Sequence, residues 1–198
     1  MKFIELVRKR ESTRKYLSKP VPREIIDQCL EAARLAPSAC NSQPWSFLVV
    51  DDPNTIKKIV KKSMSGLYAM NKFVKTASVV IIVITEQSVY TARMGGMLRN
   101  VKYNLIDIGI ACEHLVLQAV EMGLGTCWLG WFNEKALKKV LGLPKSKHVD
   151  VAISMGYPDK TAEPRKKIRK SLEKTRHFYL NKSVADEQVH TDKNGKRQ

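Results

Sequence analysis

The sequence predicts an α+β or α/β fold built around one central sheet, and three observations predict it. Two apolar runs of strand length, "WSFLVVDD" and "ASVVIIVITE", read as buried strands, the second too apolar on both faces for a solvent-facing edge. Segments of helical period lie among the strands without strict alternation. With 198 residues, 43% of them apolar, and no internal repeat, the chain can build one substantial domain with its own core. That domain is expected over residues 1–182. The polar, aperiodic end "SVADEQVHTDKNGKRQ", residues 183–198, is expected to be a disordered tail.

The elements follow in order. Residues 2–10 read as a short helix with Phe3, Ile4, Leu6 and Val7 on one side, and Pro20 and Pro22 then break the chain. "PREIIDQCLEAARLA" spaces Ile25, Ile26, Cys29, Leu30 and Ala33 at helical period and ends before Pro37. "WSFLVVDD" follows as a strand, then "DPNTIKKIVKKS" as a helix capped at Asp52 or Asn54. After the strand "ASVVIIVITE" comes "NLIDIGIACEHLVLQAVEMGLG", a long helix apolar around most of its circumference, which suits a large core or a subunit interface. Its "MGLG" end is a glycine stop. "TCWLGWF" reads as a strand, "NEKALKKVLGL" as a helix started by Asn133, and "HVDVAISMGY" as a strand.

Composition narrows the function classes. No apolar run approaches the roughly 20 residues of a membrane helix, and the first residues hold no signal-like apolar stretch, so a cytoplasmic protein is expected. The four cysteines (29, 40, 112 and 127) form no CxxC and have no His at metal spacing, which argues against a zinc site and a disulfide scaffold. No metal site is expected. The net charge of +16 is concentrated in "RKRESTRKYLSK" and "PRKKIRKSLEKTR", near the two ends of the chain. Aromatic residues do not interleave with these clusters and no nucleic-acid motif is present, so an anionic small molecule suits them better than nucleic acid.

Catalytic motifs are few. The four histidines lack a GxSxG or cysteine partner, and His114 on the apolar helix reads as a core or interface residue. "GLGTCWLG" ends a helix and opens a strand, the reverse of a dinucleotide-binding turn, and it lacks the Gly-Lys-Ser/Thr ending of a P-loop. Arg10, Ser12 and Arg14 alternate, which in an extended chain puts two guanidiniums and a hydroxyl on one side. Such a set suits a phosphate, and equally a solvated basic face. In "PSACNSQPW", Asn41 and Gln43 each offer a donor and an acceptor to a heterocycle edge.

Taken together, "RESTRKY", "PVPREIIDQCLEAARLAPSACNSQPWSFLVV", "MGLGTCWLGWF" and "SMGYPDKTAEPRKKIRKSLE" resemble the FMN-dependent nitroreductase family, in the right order across about residues 3–178. The resemblance implies an α+β nitroreductase-like fold: a central mixed, mainly antiparallel sheet flanked by helices, in an interlocked homodimer with FMN at the subunit interface. It implies that Arg10, Glu11, Ser12 and Arg14 line the phosphate, ribityl and pyrimidine side of the flavin. Pro37, Ser38, Ala39, Cys40, Asn41 and Gln43 would come from the partner chain. Trp128, Leu129 and Gly130, with Trp131 a weaker candidate, would lie along the isoalloxazine. Arg169, with Lys167 or Lys170, would return to the phosphate, and Asn71 is a further weak candidate.

The implied activity is passage of hydride from NADH or NADPH through the flavin to nitro compounds, quinones or similar acceptors, in ping-pong turnover. No side chain is expected to act as a general acid or base, and neither membrane nor nucleic acid is an expected partner. Reductive dehalogenation on the same fold, or a non-enzymatic flavin- or nucleotide-binding role, are the alternatives. Two departures from the family pattern stand out: Cys40 replaces a Gly, Ser or Thr, and Glu11 replaces a basic or His residue, so that Glu11 is expected to face outward.

Overall fold

Four strands carry the frame: β1 (Trp45–Val50), β2 (Val79–Thr85), β3 (Gly125–Leu129) and β4 (His148–Gly156). They form one sheet in the order β1-β2-β4-β3, with all three ladders antiparallel. This is a computed structural model, and it describes residues 2–86, 101–159, 161 and 167–179. The tail read from Ser183 onward lies outside the described residues. The chain divides into two units, Met1–Ala162 and Glu163–Gln198.

β2 is apolar on both faces because both faces are covered. Val79, Ile81 and Val83 point to one side and pack with Ile26, Cys29 and Ala33 of α2 (Arg23–Arg34) and with Ile108, Cys112 and Leu115 of α4 (Tyr103–Glu121). Val80, Ile82 and Ile84 point to the other side. There they meet Ile56 and Ile59 of α3 (Pro53–Ser63), Val74 of a run of 3-10 turns (Gly66–Thr76), and Leu137 of α5 (Glu134–Leu141). Each such aliphatic side chain contributes about 1.5–3 kcal/mol when fully buried, so two packed faces make the sheet the stable base of the molecule.

Local chemistry sets the helix ends. Asp52 accepts from the amides of Asn54 and Thr55 at the start of α3, and Asn133 Oδ1 accepts from the Ala136 amide at 2.9 Å at the start of α5. The glycine stop after α4 falls at Gly123, whose φ of 78° takes the chain out of the helix. α1 (Phe3–Lys9) buries no residue and leaves Phe3, Ile4 and Val7 exposed. α4 is apolar all round because it is buried along Asp107, Ile108, Ala111, Cys112, Leu115, Val116, Ala119 and Val120, while Leu105 and Ile106 remain exposed. No helix among the described residues is long and apolar enough to cross a membrane.

The second unit has a 3-10 turn at Leu172–Lys174, a guanidinium of Arg176 4.9 Å from the centre of the Phe178 ring, and exposed Ile168, Leu172, Phe178 and Tyr179.

Candidate functional site

The segment after α1 is laid along the open edge of β3. Ser12 makes an isolated parallel bridge to Thr126, and the Thr13 amide donates to the Thr126 carbonyl at 2.8 Å. Further on, Leu17 N–H donates to the Tyr157 carbonyl at 2.9 Å, and Lys15 pairs with Asp159 at 3.0 Å. The Tyr16 hydroxyl, buried beneath this segment, donates to the Thr13 carbonyl at 2.9 Å and lies 2.8 Å from Ser154 Oγ. Burial pushes its phenol well above the usual range, so it keeps its proton and its role as a donor. Along this segment Thr13 is buried, Arg10 and Ser12 are half-buried, and Glu11 and Arg14 are exposed.

The same edge is tight at one point. A Cβ on Gly125 would strike Thr13, coming within 2.7 Å of its Cβ and 2.8 Å of its Cγ2. Only a glycine lets the two backbones approach this closely. Beside it, Thr126 Oγ1 is buried and has no hydrogen-bond partner among the described residues. At the far end of β3, Gly130 has open space where a side chain would stand. Leu129 is buried with the α3 and α5 core, and Trp128 packs half-buried against the α2 and α4 core. What Leu129 can offer a ligand is its backbone.

The run Gly66–Thr76 closes over the turn after β3. Asn71 is buried and its amide donates to the Trp131 carbonyl at 2.7 Å. The Trp131 indole N–H donates to the Leu67 carbonyl at 3.0 Å, and its ring lies 5.4 Å from that of Tyr68. Arg14 reaches the same run, 6.0 Å from the centre of the Phe73 ring. Arg14, β3, Trp131 and Asn71 therefore form one cluster, in which Asn71 fixes the chain at Trp131.

The loop "PSACNSQ" lies elsewhere, against α4. Cys40, Asn41 and Gln43 all have positive φ (51°, 51° and 43°) although none is glycine. All three are exposed. The loop is closed by the Gln43 amide on Ser38 Oγ at 2.9 Å and by the Gln43 side-chain amide on Asn41 Oδ1 at 3.1 Å. It is held to the fold by Asp107, which accepts from the Ala39 amide at 3.1 Å and from the Ser42 hydroxyl at 3.4 Å. Among the described residues no hydrogen bond joins this loop to residues 10–14 or 128–131. Arg169 belongs to the second unit, where its guanidinium donates to the Ile168 carbonyl at 2.7 Å.

Electrostatics add two points. Burial pushes the Glu113 carboxyl on α4 upward, opposed by Arg10 and by His114, which places Arg10 within reach of that helix. Burial also raises the thiols of Cys29 and Cys112, to about 11 and about 12. Cys127 is buried too, so Cys40 is the one exposed thiol among the four.

The sheet and helices form an α+β scaffold with a guanidinium–hydroxyl segment laid along the edge strand β3. The chain belongs to the nitroreductase family, whose sequence profile matches residues 7–157. It is 33% identical over 161 residues to an Archaeoglobus fulgidus protein named "Putative NADH dehydrogenase/NAD(P)H nitroreductase", covering 78% of this chain and 84% of that one. It is 31% identical over 193 residues to Iodotyrosine deiodinase 1 of Rattus norvegicus, covering 86% and 67%. Among solved structures, an FMN-dependent nitroreductase from Clostridium difficile superposes with a TM-score of 0.70 at 29% identity, over 89% of this chain and 98% of that one. The nitroreductase fold and an oxidoreductase activity follow from this membership.

Proposed function

We propose that the protein is an FMN-dependent oxidoreductase that uses NADH or NADPH to reduce nitro compounds, quinones or similar acceptors, acting as a cytoplasmic homodimer with one site per subunit interface. The observation that carries this reading is the stitching of Ser12 and Thr13 onto the start of β3, the strand that leads to the open space at Gly130. The residues fit FMN: two guanidiniums and a hydroxyl for a phosphate, amide side chains for a heterocycle, and a side-chain-free strand end for a flat ring. FMN, when bound, supplies the hydride relay between nicotinamide and acceptor.

The chain's own residues then have these tasks. Arg10, Ser12 and Arg14 hold the phosphate and ribityl side. Trp128, Leu129 and Gly130 present backbone to the ring. Pro37 to Asn41 and Gln43 close the site from the partner chain, a reading supported by the lack, among the described residues, of a hydrogen bond from this loop to residues 10–14. Exposed apolar groups on α1 and α4 (Phe3, Ile4, Val7, Leu105 and Ile106) form the subunit contact. No side chain is assigned a proton-transfer role.

A second reading, reductive dehalogenation of an aromatic ring, is supported by the deiodinase relatives at about the same identity as the nitroreductase-named ones. Anaerobic mixing separates the two. NADH or NADPH should bleach the bound flavin, and a nitroaromatic or quinone should restore the colour with ping-pong kinetics. Recovery only with a halogenated phenol would transfer the assignment to dehalogenation. A flavin that neither nicotinamide reduces would leave a binding role.

A further inference from the structure

We propose that Asp107 is the positioning residue that holds loop 38–43 in the strained form in which it meets the cofactor. The inference rests on the flavin reading above, and its own observations are independent of it.

Three non-glycine residues within four positions take the left-handed backbone conformation, at φ 51°, 51° and 43°. Each such residue costs about 1–2 kcal/mol against an ordinary conformation, less for Asn41, so a free loop of this sequence would relax. The loop's internal hydrogen bonds close it on itself: Asn41 N–H to the Ser38 carbonyl and Ser42 N–H to the Ala39 carbonyl, both 3.0 Å, besides the Gln43 bonds. None of these ties it to the rest of the molecule. Among the described residues, the hydrogen bonds from 37–43 to a distant part of the chain both end on Asp107. One oxygen takes the Ala39 amide and the other the Ser42 hydroxyl, so the carboxylate grips the loop on either side of Cys40 and Asn41.

The location of Asp107 makes the grip firm. Its side chain is 3% exposed, and among the described residues no ion pair neutralises it. A buried carboxylate of this kind is costly unless donors satisfy it, and hydrogen bonds to an ionised acceptor are about twice as strong as neutral ones. The same turn of α4 carries the exposed Leu105 and Ile106. The helix that offers an apolar surface outward is therefore also the one that fixes which loop groups face away from the fold. Those groups are Cys40, Asn41 and Gln43.

Four variants test this: Asp107→Ala, Asp107→Asn, Ser42→Ala and, for the phosphate assignment, Arg14→Ala. FMN affinity is read by fluorescence quenching, the bound flavin by its visible spectrum, and the loop by hydrogen exchange at the Ala39 and Ser42 amides of the apoprotein. Loss of one long donor, at 3.4 Å, predicts roughly threefold weaker FMN for Ser42→Ala, and loss of the acceptor of both bonds predicts on the order of 10–100-fold for Asp107→Ala. Both should speed exchange at the loop amides and shift the flavin spectrum. Asp107→Asn can still accept from Ala39 and pair with Ser42, and should recover most of the loss. If Asp107→Ala does not fold, Ser42→Ala carries the test, since a half-buried loop hydroxyl can be removed without harm to the core. Wild-type affinity and exchange in both Ser42→Ala and Asp107→Ala, with Arg14→Ala weakened, would overturn the clamp and keep the flavin site. A wild-type protein that binds no FMN would overturn both.

Discussion

Gly125→Ala is the smallest change that tests how the N-terminal segment is joined to β3. The added methyl would come within 2.7 Å of Thr13 Cβ and 2.8 Å of its Cγ2, and would also strike Oγ1. Carbon atoms pack at about 3.5–4.0 Å, so the overlap is roughly 1 Å. Rotating the Thr13 side chain cannot clear it, because the branching carbon itself is too close. The backbone must retreat instead, stretching the 2.8 Å bond from Thr13 N–H to the Thr126 carbonyl. Overpacking of this size costs about 1–3 kcal/mol, and for a chain of this length 2 kcal/mol lowers Tm by roughly 4–8 °C. Ser12 and Arg14 move with Thr13, so FMN affinity should fall as well. Thermal unfolding by circular dichroism and an FMN titration measure the two effects, and Thr13→Gly in the Gly125→Ala background should restore part of each. A Gly125→Ala protein with wild-type Tm and wild-type FMN affinity would refute the reasoning.

Three further outcomes are expected. Thr126→Val keeps the shape of the side chain and removes a buried hydroxyl that has no partner among the described residues, so the apoprotein should gain about 1 kcal/mol, or roughly 2–4 °C in Tm; a loss would mean the hydroxyl is satisfied. A disulfide reagent should label one thiol quickly in the native apoprotein, lose it in Cys40→Ser, and find it protected by saturating FMN; labelling that FMN does not slow would remove Cys40 from the site. The Lys15–Asp159 tether should weaken in acid. The Thr161 hydroxyl and amide, with Lys15, hold the Asp159 carboxyl down at about 2, against an ordinary value of 3.8. A depressed carboxyl contributes stability above its ordinary value and loses it as pH falls toward about 2. Asp159→Asn should flatten that part of the acid-stability curve, and an unchanged curve would dismiss the tether.

The parts of the molecule legible in the sequence are those fixed by neighbours along the chain. The period of Ile26, Cys29 and Ala33, the Asp52 and Asn133 caps and the stop at Gly123 are all local, and each helix formed where they point. The two-sided apolarity of β2 announced a central strand, which it is. Site features that depend on distant partners were not legible. Asp107 meets the loop across 68 residues and Asn71 meets Trp131 across 60. Nothing in "NLIDIGIA" marks its aspartate as inward-facing until the loop is seen to bond to it. The backbone of Cys40 and Gln43 was hidden for another reason: positive φ ordinarily announces itself through glycine, and this loop has none. Asn71, a weak flavin candidate by sequence, braces the Trp131 turn through its side-chain amide N–H.

The central claim is that this chain assembles a flavin site from two copies of itself. Native mass spectrometry of the protein reconstituted with FMN measures it most directly. A dimer carrying two FMN is expected, with flavin lost from Arg14→Ala while the dimer persists. A monomer that binds FMN as tightly as the wild-type assembly, or a dimer that takes up none, would contradict it.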